Sequence, residues 1–141
     1  LVDRELELVL TQRMPEDIRK DWAPAYVFQM RDSETGLSMG SINLRVGTSE
    51  NLVMYGGQIG YGVDEGFRGH RYASRSCRLL LPLAKLHGLN PLWITCNPEN
   101  TASRRTCELA GGIYVETVDV PPDNEIYLKG DKQKCRYRFD L

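Results

Sequence analysis

The sequence predicts one α/β domain of the α+β type, with a mixed sheet of six or seven strands flanked by helices. Three observations support this prediction. The length of 141 residues suits a single domain spanning 1–141. Hydrophobic residues make up 41% of the chain, which is enough to form a core. Short β-rich segments come first and strand–helix–strand units follow, an order typical of mixed sheets.

The first half of the chain is predicted to consist mainly of strands. Residues 5–11 begin with alternating polar and apolar side chains, which favours a strand or a short helix entry. Residues 25–31 and 38–46 flank a turn signal and are expected to pair as a hairpin. Leu52 to Asp64 is predicted as a further strand, which contains Gly56, Gly57, Gly60 and Gly62. Four glycines in one strand indicate a bulge, or the close approach of another backbone or a ligand.

The second half of the chain alternates between helices and strands. Apolar residues recur at helical spacing over about 72–87. Leu92 to Cys96 is a short apolar run, typical of a buried strand. Asn97-Pro98 is predicted to start a second helix, which ends near Ala110. The remaining segments are two strands and the loop between them: 113–118, 134–141 and 119–130.

Composition argues against several classes of protein. The 18 basic and 19 acidic residues give a net charge of −1, which disfavours a nucleic-acid partner held by bulk basicity. No apolar run is long enough for a transmembrane helix, so no membrane partner is expected. The N-terminal residues do not resemble a signal peptide, and a cytoplasmic protein is therefore expected. The four cysteines have no metal-binding or redox spacing and are expected to be free, buried thiols.

The net charge conceals two basic segments and one acidic segment. Residues 65–78 carry four arginines and one glutamate, and residues 129–138 carry five basic residues and one aspartate. Residues 1–50 carry nine acids and six bases. The basic residues of the last predicted strand alternate, so they are expected to share one solvent-exposed face: Lys132, Lys134, Arg136 and Arg138.

The segment from Tyr61 to Ser74 carries the clearest functional pattern. It joins the glycine-rich strand to the first helix, whose first backbone N–H groups have no partners within the helix. These donors and the helix dipole favour an anion, and Gly69 allows a backbone to approach closely. The expected ligand is a phosphate or pyrophosphate. The alternative is an ordinary strand–helix turn followed by a solvated basic helix. The segment matches neither the Walker A motif nor the dinucleotide motif.

Two motifs resemble those of the GNAT acetyltransferase superfamily. Arg68-Gly-His-Arg-Tyr-Ala73 opens a helix after a strand, as does the acetyl-CoA loop of that superfamily, Gln/Arg-x-x-Gly-x-Gly/Ala. Arg71 stands where the superfamily has its middle glycine. Asn100, Ser103 and the Glu-Leu-Ala-Gly ending at Gly111 resemble the second segment. The two motifs together are more specific than either alone, and the resemblance extends over residues 25–118.

The resemblance implies acetyl-CoA as co-substrate and no metal. Two neighbouring strands would splay apart, the pantetheine arm would pair with the first of them, and the pyrophosphate would bind the loop. Asn100 would lie at the thiol end of the cofactor. If Arg71 keeps right-handed dihedral angles, its guanidinium can reach a phosphate. The cofactor-binding residues implied are Tyr61, Gly62, Val63, Arg68, Gly69, His70, Arg71, Tyr72, Ala73, Ser74 and Asn100.

The resemblance also implies the reaction, in which a neutral amine attacks the acetyl thioester. Many relatives protonate the leaving thiolate with a tyrosine of the second helix, and Cys107 occupies that position. Cys107 is either a substitute acid or a packed small residue. Glu65 is a candidate base, because no acid lies in the strand where many relatives place one, and Tyr61 is an alternative candidate acid. His70 is expected to be a loop residue rather than a base.

The acceptor implied is a primary amine of a small molecule or a peptide, and the acid-rich residues 1–50 are a candidate wall for it. A non-catalytic acyl-CoA-binding or regulatory domain of the same fold is the alternative, favoured by the missing tyrosine and strand acid. A nucleic-acid module using the arginine-rich helix would bind with strong salt dependence, and the near-zero net charge argues against it. A homodimer through the C-terminal strand is the assembly considered.

Overall fold

The computed structural model describes residues 1–17, 19 and 23–141, and it confirms the α+β fold class. The described residues form eight strands in two sheets, whereas a single sheet of six or seven was predicted. The strands are β1 (Val2–Asp3), β2 (Leu6–Met14), β3 (Ala25–Asp32), β4 (Ser38–Arg45), β5 (Ile59–Val63), β6 (Leu92–Cys96), β7 (Ile113–Asp119) and β8 (Gln133–Phe139). The larger sheet has the order β1-β2-β3-β4-β5, the smaller has the order β6-β8-β7, and the pairs are antiparallel.

The helices are α1 (Tyr72–Leu86), α2 (Thr101–Leu109) and the short α3 (Glu125–Leu128). The predicted strand from Leu52 to Asp64 is wrong in its first half, because Leu52–Gly56 forms a π-helical turn before β5 begins. Glu65–Phe67 forms a 3-10 turn after β5. None of the helices in the described part of the chain has the length and hydropathy needed to cross a bilayer.

The helix that follows β6 begins later than predicted. It begins at Thr101, and Asn100 is its N-cap, because the Asn100 side chain accepts a hydrogen bond from the N–H of Ser103 at 3.0 Å. Asn97-Pro98 does not start the helix: the Asn97 amide instead donates to Asp131 at 2.8 Å. The segment predicted as a loop over 119–130 contains α3. The start of α2 and the presence of α3 were both mispredicted, and each of these short helices begins at a single side-chain cap.

One hydrophobic core draws buried residues from both sheets and from α1 and α2. The buried face of α1 presents Cys77, Leu80 and Ala84, each with no exposed surface, to the inner face of the larger sheet. Ile42 and Leu44 of β4 are equally buried on that face. The four cysteines are free and buried, as predicted.

The alternating basic residues of β8 do not form an exposed face. Arg136 is only 7% exposed, and it donates to the C=O of Val53 at 3.0 and 3.2 Å and to Glu116 at 3.0 Å. Its guanidinium lies 4.0 Å from the ring centroid of Trp93. The prediction is wrong for Arg136 because these partners, distant in sequence, enclose it and join the π-helical turn to the smaller sheet.

Arg75 joins α1 to the N-terminal strands. Its guanidinium donates to the carboxylate of Asp3 at 2.7 Å and to that of Glu5 at 2.6 Å. The hydroxyl of Tyr72 donates to the same Glu5 carboxylate at 3.2 Å. Arg75 is therefore engaged in ion pairs and does not act as a free cation at the start of α1.

Lowering the pH should weaken this attachment. The hydrogen bond from Arg75 lowers the pKa of Glu5 from 4.5 to about 2. A carboxylate whose pKa is lower in the folded state stabilises the fold above its unfolded pKa and loses that contribution as the pH falls toward the folded value. We expect the free energy of unfolding to decline as the pH falls from 4.5 toward about 2. Urea denaturation should show a flatter decline for Glu5→Gln, and identical slopes would contradict this account.

Candidate active site

A cleft opens between β5 and β6, where the two sheets meet. Gln58 precedes β5 and joins the starts of both strands, because its N–H donates to the C=O of Trp93 at 2.8 Å. Its side-chain oxygen accepts from the N–H of Trp93, also at 2.8 Å. Beyond this point no ladder joins β5 to β6 among the described residues. The strands are therefore held together at their starts and separate toward their ends.

The edge of β5 that faces this cleft has backbone groups available for hydrogen bonding. The N–H of Asp64, just after β5, donates to the C=O of Met39 at 2.9 Å, so even-numbered residues here face β4. In an antiparallel pair, alternate residues direct their backbone groups away from the partner strand. The backbone groups of Tyr61 and Val63 therefore face the cleft, where Arg68 Nε donates to the C=O of Val63 at 3.2 Å. An extended ligand can pair with this edge.

The loop between β5 and α1 presents a row of N–H donors. No side chain caps the start of α1, and no described residue accepts from the N–H groups between Gly69 and Ser74. Gly69 and Arg71 have φ values of 95° and 60°, which shape the loop. These donors and the positive end of the α1 dipole favour an anion. The condition that Arg71 keeps right-handed dihedral angles is not met, because Arg71 occupies the left-handed region, which glycine adopts without strain.

Replacing Arg71 with glycine should stabilise the protein. A non-glycine residue in the left-handed region costs about 1 kcal/mol, which glycine avoids. We expect the free energy of unfolding, measured by urea denaturation, to rise by about 1 kcal/mol in Arg71→Gly. Arg78→Gly is the matched control: Arg78 lies within α1, where glycine should cost about 1 kcal/mol. Equal losses in both variants would show that the backbone of Arg71 is not strained.

A cavity of about 490 Å³ runs between this loop, β5 and α2, and is called the cofactor cleft below. Nine of the eleven residues predicted to contact a cofactor line it: Tyr61, Gly62, Val63, Arg68, Gly69, Arg71, Tyr72, Ala73 and Asn100. Its other lining residues are Phe67, Ala102, Ser103 and Thr106. Ala102, Ser103 and Thr106 share one face of α2. Their helical spacing is the feature of the sequence that could have indicated them as site residues.

Four of the predicted site residues lie outside this lining: Ser74, His70, Glu65 and Cys107. Ser74 is buried, and its hydroxyl donates to the C=O of Arg71 at 3.1 Å, which closes the first turn of α1. The ring of His70 packs against that of Tyr72, with 5.3 Å between the centroids. Glu65 belongs to the 3-10 turn before the loop. The structure therefore gathers most of the predicted strand and loop residues around one cleft, but it places these four residues outside the lining.

Tyr61 and Ser103 form a polar pair in the cofactor cleft. The Tyr61 hydroxyl lies 2.6 Å from the Ser103 hydroxyl. Burial raises the pKa of Tyr61 far above its usual value, so the phenol stays protonated and can donate a hydrogen bond but cannot act as a base. Ser103 belongs to the second motif that resembles the GNAT superfamily, but it is not among the predicted site residues. Its spacing from Asn100 was the available signal.

Cys107 packs beneath the cofactor cleft. It has no exposed surface. Its hydrogen bond to Cys96 and its burial both raise the pKa of the Cys107 thiol. The same hydrogen bond lowers the pKa of the Cys96 thiol. Cys107 therefore keeps its proton longest, and its burial favours the interpretation of a packed small residue.

A larger cavity, of about 620 Å³, lies on the outer face of the five-stranded sheet and is called the second cavity below. Asn43 and Arg45 point into it, because Ile42 and Leu44, which alternate with them along β4, face the core. None of its described lining residues belongs to the loop before α1, which presents the row of N–H donors. The smaller cleft is therefore the candidate active site. No acid among the described residues of 1–50 lines the second cavity, and the acidic wall for the acceptor stays a prediction.

The model of the acetyltransferase (GNAT) domain matches residues 5–113 of the chain. No curated protein matches its sequence. Among solved structures, the ribosomal-protein-S5-alanine acetyltransferase of Vibrio fischeri is 16% identical, with a TM-score of 0.64 over 82% of this chain and 61% of its own. These values are those expected of a shared fold in the absence of close sequence similarity.

Two further similar structures hold the cofactor or its product. A ribosomal L7/L12 α-N-protein acetyltransferase in complex with coenzyme A is 18% identical, with a TM-score of 0.64 over 87% of this chain and 64% of its own. The microcin C7 self-immunity acetyltransferase in complex with acetyl-CoA and AMP is 16% identical, with a TM-score of 0.62 over 83% of this chain and 61% of its own. This chain thus spans slightly more than three-fifths of the length of these proteins.

Proposed function

The chain belongs to the GNAT acetyltransferase family, and we propose that it transfers the acetyl group of acetyl-CoA to a primary amine of a small molecule or a protein. The observation that carries this proposal is the row of N–H donors between Gly69 and Ser74, next to the open edge of β5. Such donors at a helix start suit a pyrophosphate, and an open strand edge suits the amides of a pantetheine arm. The residues present therefore fit acetyl-CoA.

Each part of the cleft has a role in this proposal. The backbone from Arg68 to Ala73 binds the pyrophosphate, and the β5 edge from Tyr61 to Val63 pairs with the pantetheine arm. Asn100 borders the thiol end while its side chain caps α2. Ser74 acts indirectly, because its hydroxyl holds the C=O of Arg71 and so fixes the shape of the loop.

Tyr61 and Ser103, the polar pair, assist the transfer of the acetyl group in this proposal. When bound, acetyl-CoA supplies its acetyl group as a thioester: a carbon–nitrogen bond replaces the carbon–sulfur bond, and the proton lost by the amine ends on the sulfur. Ser103, supported by the Tyr61 hydroxyl at 2.6 Å, donates a hydrogen bond to that sulfur. Backbone N–H groups on the edge of β5 stabilise the charge that develops on the carbonyl oxygen. Glu65 and Cys107 lie outside the lining, so the proposal assigns them no chemical step.

A thiol-release assay over a panel of primary amines tests this proposal. We expect amine-dependent release of coenzyme A, and a fall in kcat of at least about tenfold in Ser103→Ala with the Kd for acetyl-CoA nearly unchanged. Thr106→Val is the matched control, because the Thr106 hydroxyl lies on the same face of α2 but donates back to the C=O of Ala102 at 3.0 Å. Binding of acetyl-CoA without turnover on any amine would contradict the proposal and favour a non-catalytic acyl-CoA-binding domain.

A further inference from the structure

We infer that the second cavity binds an anionic group of the acetyl acceptor, so that the preferred acceptor is a primary amine that also carries a carboxylate or a phosphonate-like anion. The inference rests on the proposed function for the identity of the bound molecule as an acceptor. The anion preference itself follows from the side chains that line the cavity.

Arg45 is a largely buried cation that lines the second cavity. Its side chain donates to the C=O groups of Gly56 and Gly57, both at 3.0 Å. No carboxylate among the described residues forms an ion pair with it. Burial lowers the pKa of Arg45, and no negative charge of a described residue offsets the effect. A buried cation without a counter-ion is costly, and an anionic ligand would remove that cost.

The charges around Arg45 also favour an anionic ligand. Lys129 and Lys134 line the same cavity, and Asp131 is the one acid among the described residues of its lining. Asp131 lies 3.5 Å from the Lys134 ammonium and also accepts from the Asn97 amide, so its charge is already engaged. Among the described residues, Arg45 and Lys129 have no carboxylate partner, so the described lining of the cavity carries an excess of positive charge.

Asn43 supplies the site for the amine. Its side-chain oxygen is buried and has no hydrogen-bond donor among the described residues. Asn43 and Arg45 are two residues apart on one face of β4, a separation of about 7 Å. A ligand with an N–H on Asn43 and an anion on Arg45 would satisfy both side chains, so the spacing suits a short amine with an anionic end.

Gly60 connects this arrangement to the candidate active site. It lies opposite Asn43 in the sheet, and a Cβ at this position would stand 2.9 Å from Nη2 of Arg45. Glycine thus leaves room for both polar side chains. The next residue, Tyr61, lines the cofactor cleft. The amine end of the ligand would therefore lie against the strand that also borders that cleft.

A series of amines of matched length tests the inference: γ-aminobutyrate, its amide, putrescine and aminopropylphosphonate. Binding to the protein with coenzyme A is measured by calorimetry, and kcat/KM by thiol release. We expect the better of the two anionic amines to bind and react at least about tenfold better than the amide, with putrescine the poorest. Arg45→Met should abolish this preference while leaving the Kd for acetyl-CoA within about twofold of its original value.

Two more variants are controls that separate the predicted effect from misfolding and from a general change in charge. Lys129→Gln removes a cation of the second cavity without touching the carbonyl bonds of Arg45, and should reduce the preference about threefold. Arg78→Gln removes an exposed cation of α1 and should leave the preference unchanged. A preference that survives Arg45→Met in a folded protein would overturn the inference.

The outcomes separate this inference from the proposed function. Turnover of all four amines at similar rates would overturn the anion preference and leave acetyl transfer intact. Binding of an anionic amine without turnover would support the second cavity and contradict acetyl transfer. Failure of all four probes to bind would overturn the inference. The ranking of γ-aminobutyrate against aminopropylphosphonate identifies the anion.

Discussion

Replacing Ala73 with glutamate should largely abolish acetyl-CoA binding without unfolding the protein. Ala73 is the second residue of α1 and lines the cofactor cleft beside the row of N–H donors. A carboxylate there complements the helix dipole and should stabilise α1 by about 0.3–1 kcal/mol. It would also compete for the donors and repel the pyrophosphate, and juxtaposed like charges cost several kcal/mol. We expect the Kd for acetyl-CoA, measured by calorimetry, to rise at least about 30-fold.

Leu86→Glu is the control for this prediction. Leu86 is the last residue of α1 and is 85% exposed, so it receives the same charge at the opposite end of the same helix. The dipole there disfavours a carboxylate, so stability should fall slightly while the Kd for acetyl-CoA stays unchanged. Equal effects of the two variants on the Kd would mean that the start of α1 does not bind the cofactor.

Gly40→Ala should cause the largest loss of stability. Gly40 has a φ of 149°, a value that side-chain-bearing residues rarely adopt, and its added Cβ would overlap the C=O oxygen of Gly62. That Cβ would also stand 3.0 Å from the Cα of Val63. Both obstacles are backbone atoms of β5, so relief requires the strands to move apart. We expect a loss of at least about 3 kcal/mol in the free energy of unfolding, measured by urea denaturation.

The control for Gly40→Ala is Gly66→Ala. A Cβ added at Gly66 has no described atom within 4 Å, and Gly66 lies in the exposed 3-10 turn after β5. Its unfolding free energy should change by less than about 0.5 kcal/mol. If Gly40→Ala were as stable as Gly66→Ala, the close packing of β4 on β5 would be disproved.

Much of the fold could be predicted from local patterns. The hairpin over 25–46 follows from its turn signal, and α1 from apolar residues at helical spacing. The π-helical turn at Leu52–Gly56 could not be predicted in this way, because a five-residue helical turn is too short to show a period. The burial of Arg136 was also missed, because Val53, Trp93 and Glu116 are far apart in sequence.

The candidate site likewise combines a local motif, which could be predicted from the sequence, with contacts between distant residues, which could not. The loop before α1 is contiguous, so its motif and its N–H donors could be anticipated from the sequence. The contact between Tyr61 and Ser103 joins residues 42 positions apart, and it depends on how α2 packs against β5. Arg45 and Asn43 become informative only in the folded chain, where the register of β4 shows which face they occupy and which groups they lack as partners.

The measurement that tests the proposed site most directly is a crystal structure of the protein with acetyl-CoA. We expect the proposed site to hold the pyrophosphate against the backbone between Gly69 and Ala73, and the pantetheine arm alongside Tyr61 and Val63 between β5 and β6. Cofactor bound instead in the second cavity, or no bound cofactor at a saturating concentration, would contradict it.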